Sequence, residues 1–272
     1  MSNFLNDEEF DLFKDKIYQE SGIHFSPINR PILESRIKER LKFKQIIYPK
    51  DYYTLLMDNR DELNFLLDNV TTNLTSFFRN DTHFEALNSI VLPEIENRKS
   101  TLSNKKLKIW SAGCSTGEEP YSIAISVLEK LISPNSWHVE IIASDISLKS
   151  LMIAKEGYYS IDKVENVKQE YLTKYFDKTN GGYRIKDFVK SLIRFDYHNL
   201  KFDNGERDID IIFCRNVIIY FDRNAQIEVI KKFSECANEL SYLFIGHSES
   251  LFGMNSDYKF HKLGNACIYR KK

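Results

Sequence analysis

The chain predicts an α/β fold with an all-helical N-terminal domain and a small inserted β-containing subdomain. Three observations carry this. Residues 1 to about 95 hold apolar residues at helical spacing, residues 96–272 alternate strand-like apolar runs with helical segments, and Tyr158–Ser191 interrupts that alternation for longer than one loop. Such alternation builds a mostly parallel sheet with helices on both faces.

The elements follow in order. In Asp7–Glu20, Phe10, Phe13, Ile17 and Tyr18 recur at helical spacing. Pro31 suits the first turn of a second helix running to about Lys44. Pro49 breaks the chain before Asp51–Met57. Arg60–Asn73 resumes the helical pattern, and Asn80–Ile95 gives one more helix with Pro93 near its end. Lys99–Lys106 is polar and charged, a linker or surface loop. Beyond it, strands are expected at Leu107–Ser111, His138–Ser144, Leu192–Phe195, Ile209–Cys214 and Tyr242–Ile245. Helices are expected at Glu119–Leu131, Leu148–Glu156 and Arg223–Leu240. Asp257–Leu263 and Ala266–Arg270 flank Gly264-Asn265 and read as a closing antiparallel hairpin. Within the insertion, Lys168–Tyr175 is helical, and Asn180-Gly181-Gly182 turns the chain before Tyr183-Arg184-Ile185.

Bulk properties narrow the class. A length of 272 residues with 42% hydrophobic composition supports a sizeable core, and a net charge of -1 excludes a generally basic nucleic-acid binder. Partners must be sought in local charge. Cys114, Cys214, Cys236 and Cys267 form no CxxC pair, so free thiols in a reducing compartment are expected and a metal site is not. The N-terminal MSNFLNDEEFDLF is acidic and lacks a signal-peptide core, and the apolar run Ile209–Phe221 is too short to span a bilayer. A cytoplasmic monomer is the expectation.

Leu107–Ser122, LKIWSAGCSTGEEPYS, is the most informative segment: a buried strand, a turn with Gly113 and Gly117, the pair Glu118 and Glu119, then a helix. In open α/β sheets ligands bind beyond the carboxyl ends of strands, and glycines there permit positive φ and close approach of a ligand. The spacing is GxxxG, neither GxGxxG nor GxxxxGK[ST], so no phosphate cradle is indicated. Two carboxylates would repel a pyrophosphate. A phosphate-free, cationic cofactor fits better, and S-adenosylmethionine (SAM) has that chemistry. Asp145 ends the second strand, where an acidic residue commonly accepts both ribose hydroxyls. The plainer alternatives are a tight turn for the glycines, first-turn helix residues for the glutamates and an N-cap for Asp145. Together in this order, the three features favour a nucleoside pocket.

Five strings combine these features with others: Asn73-Leu74-Thr75-Ser76-Phe77-Phe78-Arg79, SAGCSTGEEPYS, Ala143-Ser144-Asp145-Ile146, Phe213-Cys214-Arg215-Asn216-Val217-Ile218-Ile219-Tyr220-Phe221, and Gly246-His247-Ser248-Glu249-Ser250. In these the chain resembles the CheR-type chemotaxis receptor methyltransferases over nearly its whole length. The resemblance implies a Rossmann-like SAM-dependent methyltransferase sheet. It also implies methyl transfer to glutamate side chains on receptor cytoplasmic helices, giving methyl esters and S-adenosylhomocysteine (SAH). It assigns cofactor contacts to Asn73, Thr75, Arg79, the Glu118–Glu119 pair, Asp145, Asn199, Leu200, Arg215 and Asn216. Which glutamate of the pair serves stays open, with a slight preference for Glu119. An ionised glutamate needs no general base, only orientation and exclusion of water, and Arg79 and Tyr220 are the candidates for orienting it.

The helix Arg30–Lys44 would present Arg36, Arg40 and Lys44 on one face and bury Leu33, Ile37 and Leu41 on another. The cationic face reads as a solvated surface or as a docking site for acidic receptor helices. The insertion resembles the family's β-subdomain, which in some members holds a peptide tether from the receptor. Whether this chain binds one stays open, because the turn around Thr179–Tyr183 is shorter than in those members. Three other functions compete. A methyltransferase for nucleic acid or small molecules is disfavoured because Asn216-Val217-Ile218-Ile219 lacks the prolines of an Asn-Pro-Pro-Tyr tetrad. A non-catalytic nucleoside-binding adaptor is opposed by the intact polar set Arg79, Asp145 and Asn216. A dinucleotide oxidoreductase lacks its glycine pattern.

Overall fold

A computed structural model describes residues 4–71, 73–103, 105–131 and 136–272. By its contacts the chain divides into two units, Met1–Thr72 with Tyr220–Gln226, and Asn73–Ile219 with Ile227–Lys272. The division falls well before residue 95, where the sequence suggested it. The reason is burial: Phe84, Leu87, Val91, Leu92 and Ile95 belong to the same apolar core as Leu107 and Ile109 of the sheet. The composition change at Lys99 therefore marks the first strand, not the end of the helical unit. Thr72 and Asn104, which fall in the expected helical stretch and linker, lie outside the described residues.

The first unit is built from α1 (Asp7–Ser21), α2 (Arg30–Lys44), α3 (Pro49–Asp58) and α4 (Arg60–Val70). Asn6 and Glu9 form a reciprocal capping box on α1, and Gly22 ends it at φ 79°. Asn59 caps α4 by accepting the Glu62 N–H. Phe13, Ile17, Leu33, Ile37, Tyr52 and Leu66 are fully buried, which confirms the inward stripe expected of α2. The returning segment adds to this unit. The Tyr220 carbonyl accepts the His24 N–H at 2.8 Å, Phe221 forms an antiparallel bridge with Ile23, and Tyr18 Oη donates to Asp222 at 3.1 Å.

The second unit opens with α5 (Asp81–Ala86) and α6 (Leu92–Lys99), joined by a π-helical turn at Leu87–Val91. The sequence placed Pro93 near the end of one helix, but the helical run passes through it. Proline cannot donate a backbone hydrogen bond, and the chain widens to an i→i+5 turn just before it, the Leu92 N–H reaching the Leu87 carbonyl.

The sheet that follows has seven strands in the order β6-β2-β1-β7-β8-β10-β9. They are β1 (Lys105–Ala112), β2 (Trp137–Asp145), β6 (Ile193–Tyr197), β7 (Ile209–Cys214), β8 (Ala237–Ile245), β9 (Tyr258–Leu263) and β10 (Ala266–Lys271). The first five in spatial order are parallel, while β10 runs antiparallel to both its neighbours. The helices between strands are α7 (Glu118–Lys130), α8 (Leu148–Glu156) and α11 (Arg223–Cys236). The helix expected to reach Leu240 stops at Cys236. Leu240 sits at φ 60°, and the β7–β8 register slips between Ile209 and Ile211, so Asn238–Leu240 bulges where the sequence pattern continued a helix.

The insertion folds much as expected: β3 (Tyr158–Ser160), a 3₁₀ turn, α9 (Gln169–Tyr175), β4 (Phe176–Thr179), β5 (Gly182–Ile185) and α10 (Asp187–Lys190). Its strands form a separate antiparallel sheet in the order β3-β5-β4. Gly182 is required there, because a Cβ would lie 2.3 Å from the Tyr159 carbonyl oxygen.

Candidate active site

Strand order reverses between β2 and β7 on either side of β1, so the β1–α7 loop stands at the topological switch point. Gly113 and Cys114 donate their N–H groups to the Ser144 carbonyl, at 2.8 and 2.9 Å. Gly113 adopts φ +88°, and a Cβ there would lie 2.4 Å from Val217 Cγ2; Gly117 adopts φ +96°, and its Cβ would meet Ala154 and the Tyr159 hydroxyl. The positive φ matches expectation, but the space beside both glycines is taken by the protein's own side chains rather than left for a ligand.

Asp145 ties three loops together. Its Oδ2 accepts the Ser115 N–H and its Oδ1 the Ser147 N–H, both at 2.8 Å, while its carbonyl accepts the His198 N–H at 3.0 Å. Ser147, not Asp145, caps α8. The following loop carries Asn199, whose Oδ1 accepts the Lys201 N–H at 3.0 Å, and the buried Leu200.

The paired glutamates have different tasks. Ser111 Oγ donates to Glu119 at 2.7 Å, and the buried Arg215 guanidinium pairs with it at 3.2 Å. Burial pushes the Glu119 carboxyl up, with Arg215, Ser111 and Arg79 pulling against it. Arg215 also donates to the Arg79 carbonyl, and the Arg79 side chain donates to the Leu74 carbonyl at 2.8 Å. Glu118 is fully buried. Thr116 Oγ1 donates to its Oε2 at 2.6 Å; its Oε1 has no hydrogen-bond donor, and the nearest cation is Lys163 Nζ at 3.6 Å.

The segment after β7 is held by a residue to which the sequence assigned no role. Glu249 accepts four backbone N–H groups: Asn216 at 2.9 Å, Val217 at 2.9 Å, Ile219 at 3.2 Å and Gly246 at 2.5 Å. Asn216 sits at φ 59°, and its side-chain Oδ1 is buried without a hydrogen-bond partner. Phe78 (φ 52°), Asn80 (φ 63°) and Ser115 (φ 49°) are likewise in the left-handed region. Ser115 Oγ donates to the Asn73 carbonyl at 3.2 Å, and the Phe78 N–H donates to Ser122 at 2.9 Å. Phe77 is core, and Thr75 is half-buried between them in sequence. Thus residues from the FFR segment, Asp145, Glu119 and Arg215 are joined through one hydrogen-bonded frame. Ser111, Ser115 and Glu249 were the members missed; only the recurrence of Gly246 and Glu249 within one short string could have signalled the last.

The remaining candidates belong to the first unit. Tyr220 contributes its carbonyl to His24, as described. On α2, Arg40 is buried and donates through Nε and Nη2 to Glu62 at 2.8–2.9 Å; Lys44 Nζ lies 2.8 Å from the same carboxylate, and the Tyr52 hydroxyl donates to it at 2.9 Å. Arg36 is the most exposed of the three, 3.4 Å from Glu39. The three cations thus do not form one free stripe: two of them neutralise a buried carboxylate.

A parallel sheet with its last strand inserted antiparallel, an acidic residue ending the second strand, and no phosphate-cradling glycine pattern define a Rossmann-like domain of the methyltransferase class. Residues 73–267 match the family model described as CheR methyltransferase, SAM binding domain, and residues 8–71 match its all-alpha domain. The chain belongs to the CheR methyltransferase family. It is similar to a chemotaxis protein methyltransferase of Borreliella burgdorferi, 36% identical over 92% of this chain and 90% of that one. It is also similar to chemotaxis protein methyltransferase 2 of Vibrio cholerae, 33% identical over 98% and 94%. Against the Escherichia coli chemotaxis protein methyltransferase the identity is 33%, over 90% and 85%. Among the described residues, no helix is long and apolar enough to cross a membrane.

Proposed function

We propose that this chain transfers the methyl group of SAM to glutamate side chains on the cytoplasmic helices of chemotaxis receptors, leaving SAH and a glutamyl methyl ester. The observation that carries the cofactor reading is a pair of buried acceptors with spare valence beyond the carboxyl ends of β1 and β7: Glu118 Oε1, on the first residue of α7, and Asn216 Oδ1, in the loop after β7. Buried acceptors are costly when unpaired, and they suit a ligand that brings donors and positive charge. The similarity to chemotaxis protein methyltransferases supports an acceptor within the chemotaxis machinery.

SAM bound there would supply an electrophilic methyl carbon on a sulfonium, the carbon–sulfur bond breaking as the carboxylate oxygen–carbon bond forms. The chain's residues hold and orient. Asp145 is suited to ribose hydroxyls, and Asn73, Thr75, Asn199, Leu200 and Asn216 complete the nucleoside and amino-acid contacts. Glu118 takes precedence over Glu119 as the cofactor carboxylate, because Ser111 and Arg215 already occupy Glu119. Arg215 fixes the frame, and Arg79 is the group for orienting the acceptor carboxylate. No side chain need remove a proton, since the acceptor is ionised at neutral pH. Docking of an acidic receptor helix to α2 rests on Arg36 with the exposed Lys38 and Lys42, while Arg40 and Lys44 are engaged by Glu62.

The test is incubation of the protein with methyl-labelled SAM and the cytoplasmic fragment of its cognate receptor. The expected result is label on receptor glutamates that alkali releases as methanol. Absence of any label from a receptor that is intact and helical would reject the acceptor assignment.

A further inference from the structure

Glu249 lies outside every contact set assigned to the cofactor, yet it has the densest backbone grip in the second unit. Oε1 accepts the N–H groups of Val217 and Ile219, and Oε2 those of Asn216 and Gly246. Four N–H groups converging on one carboxylate make an anion-binding concavity in which the anion is the protein's own side chain. Gly246 is the other half of this device. A Cβ there would lie 2.8 Å from Asn216 Nδ2, 2.9 Å from Asn216 N and 2.9 Å from Glu249 Oε2. The loop after β8 can therefore close on the loop after β7 only if position 246 has no side chain.

What the brace holds is unusual. Asn216 sits at φ 59°, in the left-handed region that Asn tolerates better than most non-glycine residues but that still relies on its surroundings to hold it. Its Oδ1 is left buried and unpaired, and Arg215 beside it spans Glu119 and the Arg79 carbonyl. We infer that Glu249, with Gly246, is a positioning residue that fixes the Arg215-Asn216 turn in its cofactor-binding conformation. It acts through Asn216, with no contact of its own to the ligand. This assignment rests on the SAM reading above.

The test compares the intact protein with Glu249→Gln and Gly246→Ala. Gln is isosteric, but its amide nitrogen meets N–H donors with donors of its own. Ala tests the same brace from the opposite side without altering charge. Three quantities are measured: SAH affinity by calorimetry, melting temperature, and amide hydrogen exchange resolved by residue. Both variants are expected to weaken SAH binding roughly tenfold or more. Both should melt within a few degrees of the parent, with faster exchange at Asn216, Val217, Ile219 and Gly246 while β7 and β8 stay protected. Unchanged SAH affinity in both variants would overturn the assignment. So would faster exchange spreading through β7 and β8, which would mark Glu249 as a general stabiliser. If the parent protein itself binds no SAH, the SAM reading fails first and takes the inference with it.

Discussion

Arg215 is a guanidinium with almost no solvent contact; its terminal nitrogens reach one carboxylate and one carbonyl while its Nε–H has no acceptor, and it links the FFR segment to β1 through Glu119. Asn216, next in sequence, leaves a buried acceptor unused. Asn216→Ala should therefore weaken SAH binding, about tenfold or more, with little change in melting temperature, since no internal hydrogen bond of its Oδ1 is lost. Arg79→Ala should bind SAH yet transfer no methyl group; loss of neither property would remove Arg79 from its role. His83 lies 1% exposed, its ring edge-on to Phe244 and 5.2 Å from His247. Burial, with Arg215 and His247 nearby, lowers its pKa from 6.5 to about 4. The unfolded chain thus binds the extra proton between those values. Stability is full above pH 6.5 and falls by about 3 kcal/mol as pH drops to 4. Urea titrations of His83→Gln across that window should show a shallower pH dependence than the parent.

For the cations of α2, the Glu62 carboxylate of α4 is the organising group. Burial alone would push it up, but Lys44, Arg40 and Tyr52 outweigh that and hold it below the ordinary 4.5. A carboxyl lowered in the folded state stabilises above its unfolded pKa, and that contribution is lost as pH falls through the folded value. Glu62→Gln should destabilise the helical unit by about 3 kcal/mol at pH 7 and remove this acid dependence, read from urea midpoints at pH 7 and 3. The same pair shows what sequence patterning conveys. Spacing put Arg36, Arg40 and Lys44 on one face and Leu33, Ile37 and Leu41 on another, and the apolar stripe is buried. It could not reveal that a carboxylate more than twenty residues away would draw Arg40 inside. Strands β1, β2 and β7 were legible because each carries a long buried, mostly apolar run. The end of α11 was not, because Asn238-Glu239-Leu240 has no breaker and only tertiary pairing with β7 bends it into a bulge. Pro93 misled for the related reason that a π-turn can carry a helix through it. Gly113 and Gly117 take the positive φ expected of them, but the close approach of a ligand expected beside them is blocked by side chains. Those side chains, of Val217 and Ala154, come from remote segments that local spacing does not identify.

Across the whole molecule, a net charge of -1 leaves recognition to local patches. Docking of an acidic receptor helix should accordingly weaken as salt rises, while SAH affinity, set by buried groups, should change little between 0.05 and 0.5 M salt at the order of magnitude expected for screening. Methyl-transfer KM for receptor against SAH Kd over that range checks the distinction. The central claim is that the switch-point site is built for a phosphate-free nucleoside carrying an amino acid. Calorimetry of the intact protein with SAH, and separately with a nicotinamide dinucleotide and with ATP, tests it most directly. The account predicts saturable binding of one SAH per chain and no measurable heat from the two phosphate-bearing ligands. Binding of either phosphate ligand without SAH would contradict it.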